Sequence, residues 1–433
     1  MRIVTAQEFR EEMLYQVVNR GKSDLSKISS SVKKIITDVK ENGDKALLKY
    51  TEKFDKICLI PSKLKVDKNE IKEAYKKLEK IQLKALKKAS ANITSFHKKQ
   101  VRDKWTLKIA EGVTAGQVTR PLSSVGIYVP GGRASYPSSV LMCAIPARVA
   151  GVKTIVMCSP PGKSGDVDPA LLVAANIAGV EKIYRVGGAQ AIAAMAYGTE
   201  TLPKVDKIVG PGNLFVTSAK LEVNKDVAID VPAGPSEVLI IADETGNASF
   251  IASDLLAQAE HDSQAYAILL TTSADLASAV KEKLYRQMKS LSRTKVIQSS
   301  IQKGGLTVIV SSIEEAVKYS NQIAPEHLQI QTKNPDQILD KIRNAGAIFL
   351  GSYSPVAFGD YSSGLNHVLP TGGYARIYSG LSTSDFVKTM NFLKCSKEGY
   401  QNLKETAVTL ANMEGFDGHA KSVSIREDEK DEN

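Results

Sequence analysis

The sequence predicts an α/β protein with two doubly wound, mostly parallel sheets, preceded by helices and followed by a helical extension. The main observation is that short β-branched runs alternate with helical stretches in residues 119–235 and again after residue 235. The second observation is the length, because 433 residues are about three times a typical domain and indicate two or more globular domains.

Residues 1–105 carry apolar side chains at spacings of three and four, which predicts helices. The predicted helices are Gln7–Asn19, Leu25–Asn42, Asp44–Asp55 and Asp67–Phe96. Gly43 is expected to stop one helix and Asp44 to cap the next. Trp105–Gln117 is expected to be extended, and Pro121 separates it from the sheet that follows.

Strands and helices alternate in both predicted α/β units. The first unit has predicted strands Ser124–Val129, Thr154–Cys158, Lys182–Val186 and Lys207–Val209, with helices Ser138–Ala150, Pro169–Ala178 and Ala189–Tyr197. The second unit follows the turn Ala233–Glu237. Its predicted strands are Val238–Ala242, Ala267–Thr271, Leu306–Val310 and Ala347–Leu350. Its predicted helices are Asn247–Glu260, Ala274–Ser290, Ile313–Gln322 and Asp336–Ala345. The two units could be distant copies. A glycine-rich loop at 351–382 then leads into a predicted helical segment, Ser384–Leu410, and a charged tail, Arg426–Asn433, that is expected to be frayed.

Composition and charge favour a soluble cytoplasmic protein. The net charge is +10, but the lysines of residues 72–104 follow helical spacing and are not interleaved with aromatic residues. This pattern favours a solvated helical face over a nucleic-acid partner. The four cysteines form no CxxC pair, which is typical of a reducing compartment. No signal-peptide pattern and no apolar run of the roughly 18 residues that span a bilayer is present, so no membrane partner is expected.

Asp254–Ser263, DLLAQAEHDS, concentrates metal-capable side chains in a chain with five histidines. On an amphipathic helix Gln258 and His261 would share one side and could supply two corners of a metal site. The alternative is a surface histidine near a helix end. His97, in a lysine-rich helical stretch, is expected to be exposed and without a role.

Three glycine turns follow predicted strands and could each receive a phosphate. They are Tyr128–Gly132 (YVPGG), Val186–Gln190 (VGGAQ) and Gly210–Asn213 (GPGN). None matches G-x-G-x-x-G with an acidic residue about twenty positions on. Each could be an ordinary turn between a strand and a helix. However, three turns at the carboxyl ends of strands in one parallel sheet would face one crevice. This convergence favours a nucleotide or another phosphorylated ligand.

Two further stretches carry acid–base residues. In Ala324–Leu328, APEHL, Glu326 and His327 could border one cavity as general bases if the segment is a turn. A helix N-terminus with Pro325 at its first position is equally compatible with this stretch. Asp360 and His367 in Gly359–Pro370, and His419 in EGFDGH, could complete an N/O ligand set that suits zinc or another first-row divalent ion.

The stretches YVPGGRASYPSSVLMCAIPARVAGV, RVGGAQAIAAMAYGTETLPKVDKIVGPGN, AGPSEVLIIAD, DLLAQAEHDSQA, APEHL, FGDYSSGLNHVLPT and EGFDGH together resemble the histidinol dehydrogenase family. The likeness runs over about residues 25–425. It implies a zinc- and NAD-dependent four-electron oxidation of L-histidinol through the aldehyde to L-histidine, the last step of histidine biosynthesis. It also implies two Rossmann-like sheets and an intertwined homodimer in which C-terminal residues complete the partner's active site.

The resemblance assigns a role to each candidate residue. The implied zinc ligands, one ion per subunit, are Gln258, His261, Asp360 and His419. His327 would be the general base and Glu326 would activate the water, while NAD would contact Tyr128, Gln190 and Asn213. The implied substrate contacts are Ser236, His327, His367, Glu414 and the four zinc ligands. Holding the aldehyde on the metal would keep it from escaping between the two hydride transfers.

With the resemblance, four parts are expected. They are an N-terminal helical segment (1–25), an α/β domain with the metal and catalytic residues (26–118 plus 236–380), an NAD-binding domain (119–235) and a C-terminal dimerisation extension (381–433). The residues alone leave two other functions open: a metal-dependent hydrolase in which Glu326 activates a zinc-bound water, and a binding or scaffold protein with a structural metal. Manganese or cobalt would also suit the N/O set.

Overall fold

The computed structural model describes residues 1–20, 26–131, 135–231 and 234–427. The strands in these ranges are β1 (Arg2–Thr5), β2 (Trp105–Ala110), β3 (Val113–Pro121), β4 (Ser124–Tyr128), β5 (Thr154–Ser159), β6 (Lys182–Arg185), β7 (Lys207–Val209), β8 (Ala228–Ile229), β9 (Glu237–Ala242), β10 (Tyr266–Thr271), β11 (Gly305–Ile309), β12 (His327–Gln331), β13 (Ala347–Leu350) and β14 (Val387–Cys395). Ala233, Gly132 and Leu25, which belong to predicted turns and a predicted helix, and most of the predicted tail lie outside the described residues.

The helices surround these strands on the described part of the chain. The α-helices are Ala6–Glu8, Leu14–Val18, Ser26–Asp55, Lys68–Lys77, Lys80–Lys98, Pro137–Val149, Pro169–Ala178, Gly188–Tyr197, Leu214–Val223, Ala248–Ala259, Ala274–Met288, Thr294–Gly304, Ile313–Ile323, Asp336–Leu339, Val356–Tyr361, Lys397–Met413 and Asp417–Ser424. A π-helical turn spans Phe9–Met13, and short 3₁₀ turns span Pro61–Lys63, Tyr374–Arg376, Thr383–Phe386 and Ile425–Glu427.

A five-stranded parallel sheet forms one half of the main compact unit. Its order is β6-β5-β4-β7-β8, so the strands of this segment lie in the order third, second, first, fourth, fifth. Its strands are nearly all buried, because helices cover both faces, and the alanine-rich helices let the layers approach closely.

A six-stranded parallel sheet forms the other half, in the order β1-β11-β10-β9-β12-β13. Without β1, which joins the edge beside β11, its strands again lie in the order third, second, first, fourth, fifth. Apolar clusters fill both of its faces. The main unit that contains both sheets comprises Met1–Gln100 and Leu122–Phe386.

The second compact unit comprises Val101–Pro121 and the chain from Val387 onward. Its sheet is antiparallel, with β3 between β14 and β2, and the helices Lys397–Met413 and Asp417–Ser424 pack on each other. Gly112 sits in the β2–β3 turn at a φ of 75°, where its carbonyl accepts a hydrogen bond from the Ser396 N–H.

The predicted mixed α/β class with parallel sheets is confirmed, and several predicted elements are wrong. β1 lies inside a region predicted to be helical, because its four residues are too short to show a strand period. The predicted helix Asp67–Phe96 is two helices, since Leu78 and Glu79 are extended and Glu79 caps the second helix. The predicted helix Ser384–Leu410 contains β14, whose exposed residues pair with β3 over its full length.

Three local predictions also need correction. The chain does leave helical geometry at Gly43, where φ is 49° and ψ is −130°, but the Asp44 carboxylate accepts hydrogen bonds from Thr199 and Thr201 instead of capping the next helix. His97 is fully buried, because its two ring nitrogens contact the side chains of Gln100 and Asn366. Asp336–Ala345 is helical only as far as Leu339. No helix in the described ranges has the length and apolar character to cross a membrane.

Candidate active site

Glu326 and His327 lie at the amino end of a central strand. His327 is the first residue of β12 and pairs in register with Val238 of β9, while Glu326 occupies the turn before the strand. Ser236 ends the segment that leads into β9, the neighbouring strand. The turn interpretation of APEHL is therefore correct, and the helix N-terminus interpretation is wrong.

A reciprocal pair of hydrogen bonds fixes Glu326 against Glu237. The Glu237 N–H donates to Glu326 Oε2 at 2.8 Å, and the Glu326 N–H donates to Glu237 Oε1 at 3.3 Å. Arg20 forms a buried ion pair with Glu237, and the Gly372 N–H adds a hydrogen bond of 2.8 Å to Oε1. Burial raises the pKa of Glu237, and the Arg20 charge opposes that rise. The arrangement holds two carboxyl groups side by side at fixed positions.

His327 presents one ring nitrogen to the site. Its Nδ1 lies 3.0 Å from the Glu237 carbonyl oxygen, which can accept only if Nδ1 carries the proton. Nε2 is buried, has no hydrogen-bond partner among the described residues, and lies 3.7 Å from Asp360 Oδ1. Burial lowers the pKa of His327, but the Glu326 and Asp360 carboxylates raise it more, to about 9. Nε2 is therefore the atom available for proton transfer.

The backbone around APEHL is constrained on both sides. Ala324 has the left-handed conformation, with φ at 50° and ψ at 65°, which costs energy for a residue with a Cβ atom. Gly346 lies so close to the turn that a Cβ atom there would be 2.5 Å from the Glu326 carbonyl oxygen. These two positions set the direction in which Glu326 leaves the preceding helix.

Gln258 and His261 lie at the carboxyl end of helix Ala248–Ala259. Gln258 is buried in the helix, whereas His261 comes two residues after the helix end, so only Gln258 of this pair is a helical residue. The His261 N–H bonds to the Gln258 carbonyl, and its Nδ1 lies 3.0 Å from the Ala257 carbonyl oxygen, which leaves Nε2 as the ligating atom. Gln331 of β12 donates to Asp254 at 3.2 Å and ties this helix to the strand that begins at His327.

Asp360 and His367 complete the part of the site within the main unit. Asp360 lies on helix Val356–Tyr361, and its carbonyl oxygen contacts His367 Nδ1 at 3.1 Å. The other ring nitrogen of His367 lies 3.2 Å from the hydroxyl of Ser139, on the helix that follows β4. Burial lowers the pKa of His367, so this ring is neutral near pH 7.

Glu414 and His419 belong to the second compact unit. Glu414 ends helix Lys397–Met413, and His419 lies in the next helix, where its ring packs on Phe416 at a centroid distance of 5.3 Å. Both are exposed. Within the described residues no group of three or more His, Cys, Asp and Glu side chains could hold a metal ion.

The three glycine turns meet at the carboxyl end of the five-stranded sheet. The Gly188 N–H donates to the Tyr128 hydroxyl at 3.1 Å, and a Cβ atom on Gly210 would overlap the Tyr128 carbonyl. Tyr128 thus joins its own turn to the other two. A buried ion pair between Lys220 and Asp230 holds Gly210, since the Gly210 carbonyl accepts from Lys220 and its N–H donates to Asp230.

The side-chain oxygens of Gln190 and Asn213 differ in whether the protein supplies them with hydrogen-bond donors. Gln190 is 1% exposed, and its Oε1 atom has no hydrogen-bond partner in the described part of the chain. Asn213 caps helix Leu214–Val223 by accepting from two backbone N–H groups, so its side chain has a fixed orientation at the crevice. Tyr128 is buried, and burial raises its pKa to about 12, so its hydroxyl keeps the proton.

Sequence reasoning missed Arg20, Glu237 and Ser139. Glu237 had a signal, because a charged residue at the start of the apolar strand EVLIIA is costly to bury unless it is paired. Arg20 and Ser139 gave none, since their contacts join residues that are far apart in the sequence.

The site has two parts. The six-stranded sheet carries a buried carboxylate–imidazole pair at its amino end, and the five-stranded sheet carries a glycine-lined crevice at its carboxyl end. Together they fit an oxidoreductase that acts on alcohols or aldehydes. The family model described as histidinol dehydrogenase matches residues 18–427. The chain is 52% identical to the histidinol dehydrogenase of Methanothermobacter thermautotrophicus, over 97% of this chain and 98% of that protein. It is 51% identical to that of Clostridium acetobutylicum, over 96% of each. The crystal structure of histidinol dehydrogenase from Elizabethkingia anophelis has a TM-score of 0.94 at 41% identity and covers 98% of this chain.

The chain therefore belongs to the histidinol dehydrogenase family and is an oxidoreductase acting on an alcohol and aldehyde substrate. The resemblance seen in the quoted motifs is confirmed.

Proposed function

We propose that this protein oxidises L-histidinol through L-histidinal to L-histidine, with two NAD molecules used in succession. The observation that carries the residue assignment is the buried His327 Nε2 atom, which has no hydrogen-bond partner among the described residues and lies 3.7 Å from Asp360 Oδ1, while Nδ1 of the same ring lies 3.5 Å from Glu326 Oε2. In the overall reaction two hydrides leave the carbinol carbon and one water oxygen is added to it.

His327 acts as the general base of both oxidations. The unprotonated Nε2 atom takes the hydroxyl proton while Nδ1 keeps its own proton and donates a hydrogen bond to the Glu237 carbonyl, which holds the ring in one orientation and one tautomer during the transfer. The second oxidation uses the same atom on the hydrated aldehyde. Glu237 and Arg20 are positioning residues, because they hold the backbone and side chain of Glu326 and do not face the reacting carbon.

Glu326 acts on the water. The Glu237 N–H occupies Oε2 and fixes the plane of the carboxylate, which leaves the other oxygen to take a proton from a water that attacks the aldehyde. The two adjacent residues therefore have different roles. His327 acts in both oxidations, and Glu326 acts only in the addition of water.

A zinc ion, one per subunit, would be held by Gln258, His261, Asp360 and His419. The donors fit this ion, because they combine imidazole nitrogen with amide and carboxylate oxygen and because the bond from His261 Nδ1 to a carbonyl presents Nε2 outward. When bound, zinc supplies a template that orients the amine and imidazole of the substrate. Asp360 also faces His327, which brings the ligand set next to the base.

Substrate contacts extend beyond these residues to Ser236, His367 and Glu414, in addition to His327 and the zinc ligands. His367 is oriented by the Asp360 carbonyl at Nδ1, and its Nε2 atom can accept a hydrogen bond from the substrate amine in the place of the Ser139 hydroxyl. Glu414 and His419 lie on exposed helices of the second unit, which supports an intertwined homodimer in which each chain completes its partner's site.

The five-stranded sheet would be the Rossmann-like NAD-binding unit. Its strand order places Tyr128 and Asn213 at the two sides of the point where the order reverses, which is where α/β sheets bind ligands. The unpartnered Gln190 Oε1 atom supports a ligand that donates a hydrogen bond there. The four-part domain division and a cytoplasmic location remain proposals.

The first test is NADH formation from L-histidinol and NAD, before and after chelation and with zinc restored. We expect two NADH per histidinol, lost with the metal and recovered with zinc. One NADH per histidinol would contradict the second oxidation, and no NADH from zinc-replete protein would contradict the proposal.

The second test separates the two bases. Glu326→Gln should lower the rate of histidinal oxidation by about 10²–10⁴-fold while aldehyde formation from histidinol continues. The two steps are measured by single-turnover NADH formation from each substrate. Equal losses in both steps would show that Glu326 is not specific to the water.

A further inference from the structure

The carboxyl end of the five-stranded sheet lacks an acidic residue in its own strands. In dinucleotide-binding sheets of this strand order, an acid at the end of the second strand accepts hydrogen bonds from the ribose of the adenosine. Here the second strand is β5, which ends in Ser159 and continues into Pro160. The crevice therefore has glycine turns for the pyrophosphate and no carboxylate from the sheet for the ribose.

A carboxylate reaches this end of the sheet from another element. Asp55 is the last residue of helix Ser26–Asp55, which packs on the helix that follows the VGGAQ turn. Two residues on, Ile57 lies against Gly165, in the loop that follows β5. The Asp55 charge also acts on the Tyr128 hydroxyl. These contacts put Asp55 beside the loop where the missing acid would stand.

Without a ligand, the ionised Asp55 carboxylate lowers the stability of the folded protein. Its Oδ2 atom is buried and has no hydrogen-bond partner within the described ranges. Burial raises the pKa of Asp55 to about 6, with no opposing contribution from a cation or a hydrogen-bond donor. Lys56, the next residue, has a left-handed backbone with a φ of 61°, which turns the chain at this point. A half-buried carboxylate with one unpartnered oxygen, next to a residue in the left-handed conformation, is expected where a ligand supplies the missing donor.

We propose that Asp55 binds the hydroxyls of the adenosine ribose of NAD, in the place of the acid that β5 lacks. A ribose diol can donate two hydrogen bonds to one carboxylate, and the 2′-phosphate of NADP would meet the same negative charge. The residue would thus contribute both affinity for NAD and discrimination against NADP. This proposal rests on the proposed use of NAD.

The test compares two cofactors, with and without the 2′-hydroxyl, on two proteins, with and without the Asp55 carboxylate. The KM values for NAD and for 2′-deoxyadenosine NAD are measured for the wild type and for Asp55→Asn, with histidinol and zinc saturating. For the wild type, removing the hydroxyl should raise KM about 10-fold or more. For Asp55→Asn the KM for NAD should rise by a similar factor, and the two cofactors should then differ by less than about two-fold. The NAD preference over NADP should shrink in the same variant.

The matched control is Asp38→Asn, on the same helix. Asp38 is also half-buried, but its carboxylate is already paired with Lys49 and Asn42. This change should leave both cofactor KM values as they are. It should lower the thermal midpoint slightly, because it removes existing bonds.

Stability distinguishes a ligand-binding acid from a structural one. Without cofactor, Asp55→Asn should melt at the same temperature as the wild type or higher, because it removes a half-buried charge whose Oδ2 atom has no partner among the described residues. The rise in melting temperature on adding NAD should be smaller in the variant than in the wild type. A lower melting temperature without NAD, or unchanged discrimination between the two cofactors, would overturn the proposal. If the wild type itself forms no NADH from histidinol, the proposed function fails first, and the ribose assignment falls with it.

Discussion

The two parallel sheets of the main unit have the same strand order, yet their candidate sites lie at opposite ends. In the five-stranded sheet the carboxyl ends of β4 and β7 carry Tyr128 and the GPGN turn. In the six-stranded sheet the corresponding strands are β9 and β12, and Glu237, Glu326 and His327 lie at their amino ends. Topology alone would place a ligand at the carboxyl ends in both cases.

The difference lies in the polar groups at the strand ends. At the carboxyl end of β9, Asp243 accepts hydrogen bonds from the Thr245 N–H and hydroxyl and from the Lys333 N–H, so this carboxylate is satisfied by the protein itself. The corresponding end of the five-stranded sheet leaves Gln190 Oε1 without a partner among the described residues. Strand order alone therefore does not mark the end that binds a ligand. Unsatisfied groups alone do not mark it either, because Gln331 Oε1 and Thr332 Oγ1 at the carboxyl end of β12 also lack a partner among the described residues.

The largest expected effect is from His327→Asn, at the amino end of the six-stranded sheet. The change should lower kcat for both oxidations by about 10²–10⁴-fold, because the base of both steps is lost. The KM for NAD should change little, since the cofactor residues belong to the other sheet. Single-turnover NADH formation from histidinol and from histidinal checks both steps, with zinc content measured alongside. A selective loss in one step would contradict the shared base.

Gly346→Ala tests how finely the APEHL turn is positioned. The new Cβ atom would press on the Glu326 carbonyl and shift both bases, and a displacement near 1 Å can cost about 10²-fold in rate. We expect kcat to fall by roughly that factor with a smaller change in the KM for NAD. Gly162→Ala is the control, because its Cβ atom would meet Asp166 only at ordinary contact distance. Similar losses in both variants would show that the effect is general instability.

Gly210→Ala is the matching change in the five-stranded sheet. The alanine would overlap the Tyr128 carbonyl and would need a φ of 118°, which L-residues avoid. We expect the KM for NAD to rise about 10-fold or more while kcat at saturating NAD falls less, because this end supplies cofactor binding. If Gly210→Ala and Gly346→Ala gave the same pattern of kcat and KM, the division between the two sheet ends would be wrong.

Glu326→Gln should also move the pH profile of aldehyde formation. The base is the neutral imidazole, so the rate rises with pH as the His327 ring loses its proton. Glu326 contributes the larger of the two carboxylate charges that raise the pKa of His327, and its loss should shift the rising limb to lower pH by about one unit. The profile of kcat/KM for histidinol, measured on zinc-loaded proteins between pH 6 and 10, checks this. A shift to higher pH would contradict the electrostatic role.

The sequence was sufficient for local features and insufficient for long-range ones. The strand–helix alternation predicted both parallel sheets, and the glycine turns after β4, β6 and β7 were recognisable because each sits beside its strand. β12 was not predicted, since HLQIQ alternates polar and apolar residues although the whole strand is buried. Its buried glutamines bond to Asp254 and to the Ser354 carbonyl, partners that only the folded chain brings near.

The candidate site divides in the same way. Glu326 and His327 were predictable as a pair because they are adjacent, but their orientation depends on Arg20, Glu237 and Gly372, which come from three other segments. His97 was predicted to be exposed because its neighbours are lysines, whereas the ring is buried against Asn366 beside His367. An expectation of exposure that is based on charged neighbours fails where one side chain of a charged helix points into the protein interior.

The smallest expected effect on activity is from Asp243→Ala, at the carboxyl end of the six-stranded sheet. Removing an acceptor of three hydrogen bonds should lower the free energy of unfolding by about 1–3 kcal/mol. Asp243→Asn keeps an acceptor oxygen and should lose less. The KM for NAD and kcat should stay within about two-fold of the wild type in both variants, because this end holds no reacting group. A rise in the KM for NAD would show that the six-stranded sheet also uses its carboxyl end, and the contrast between the two sheets would then be wrong.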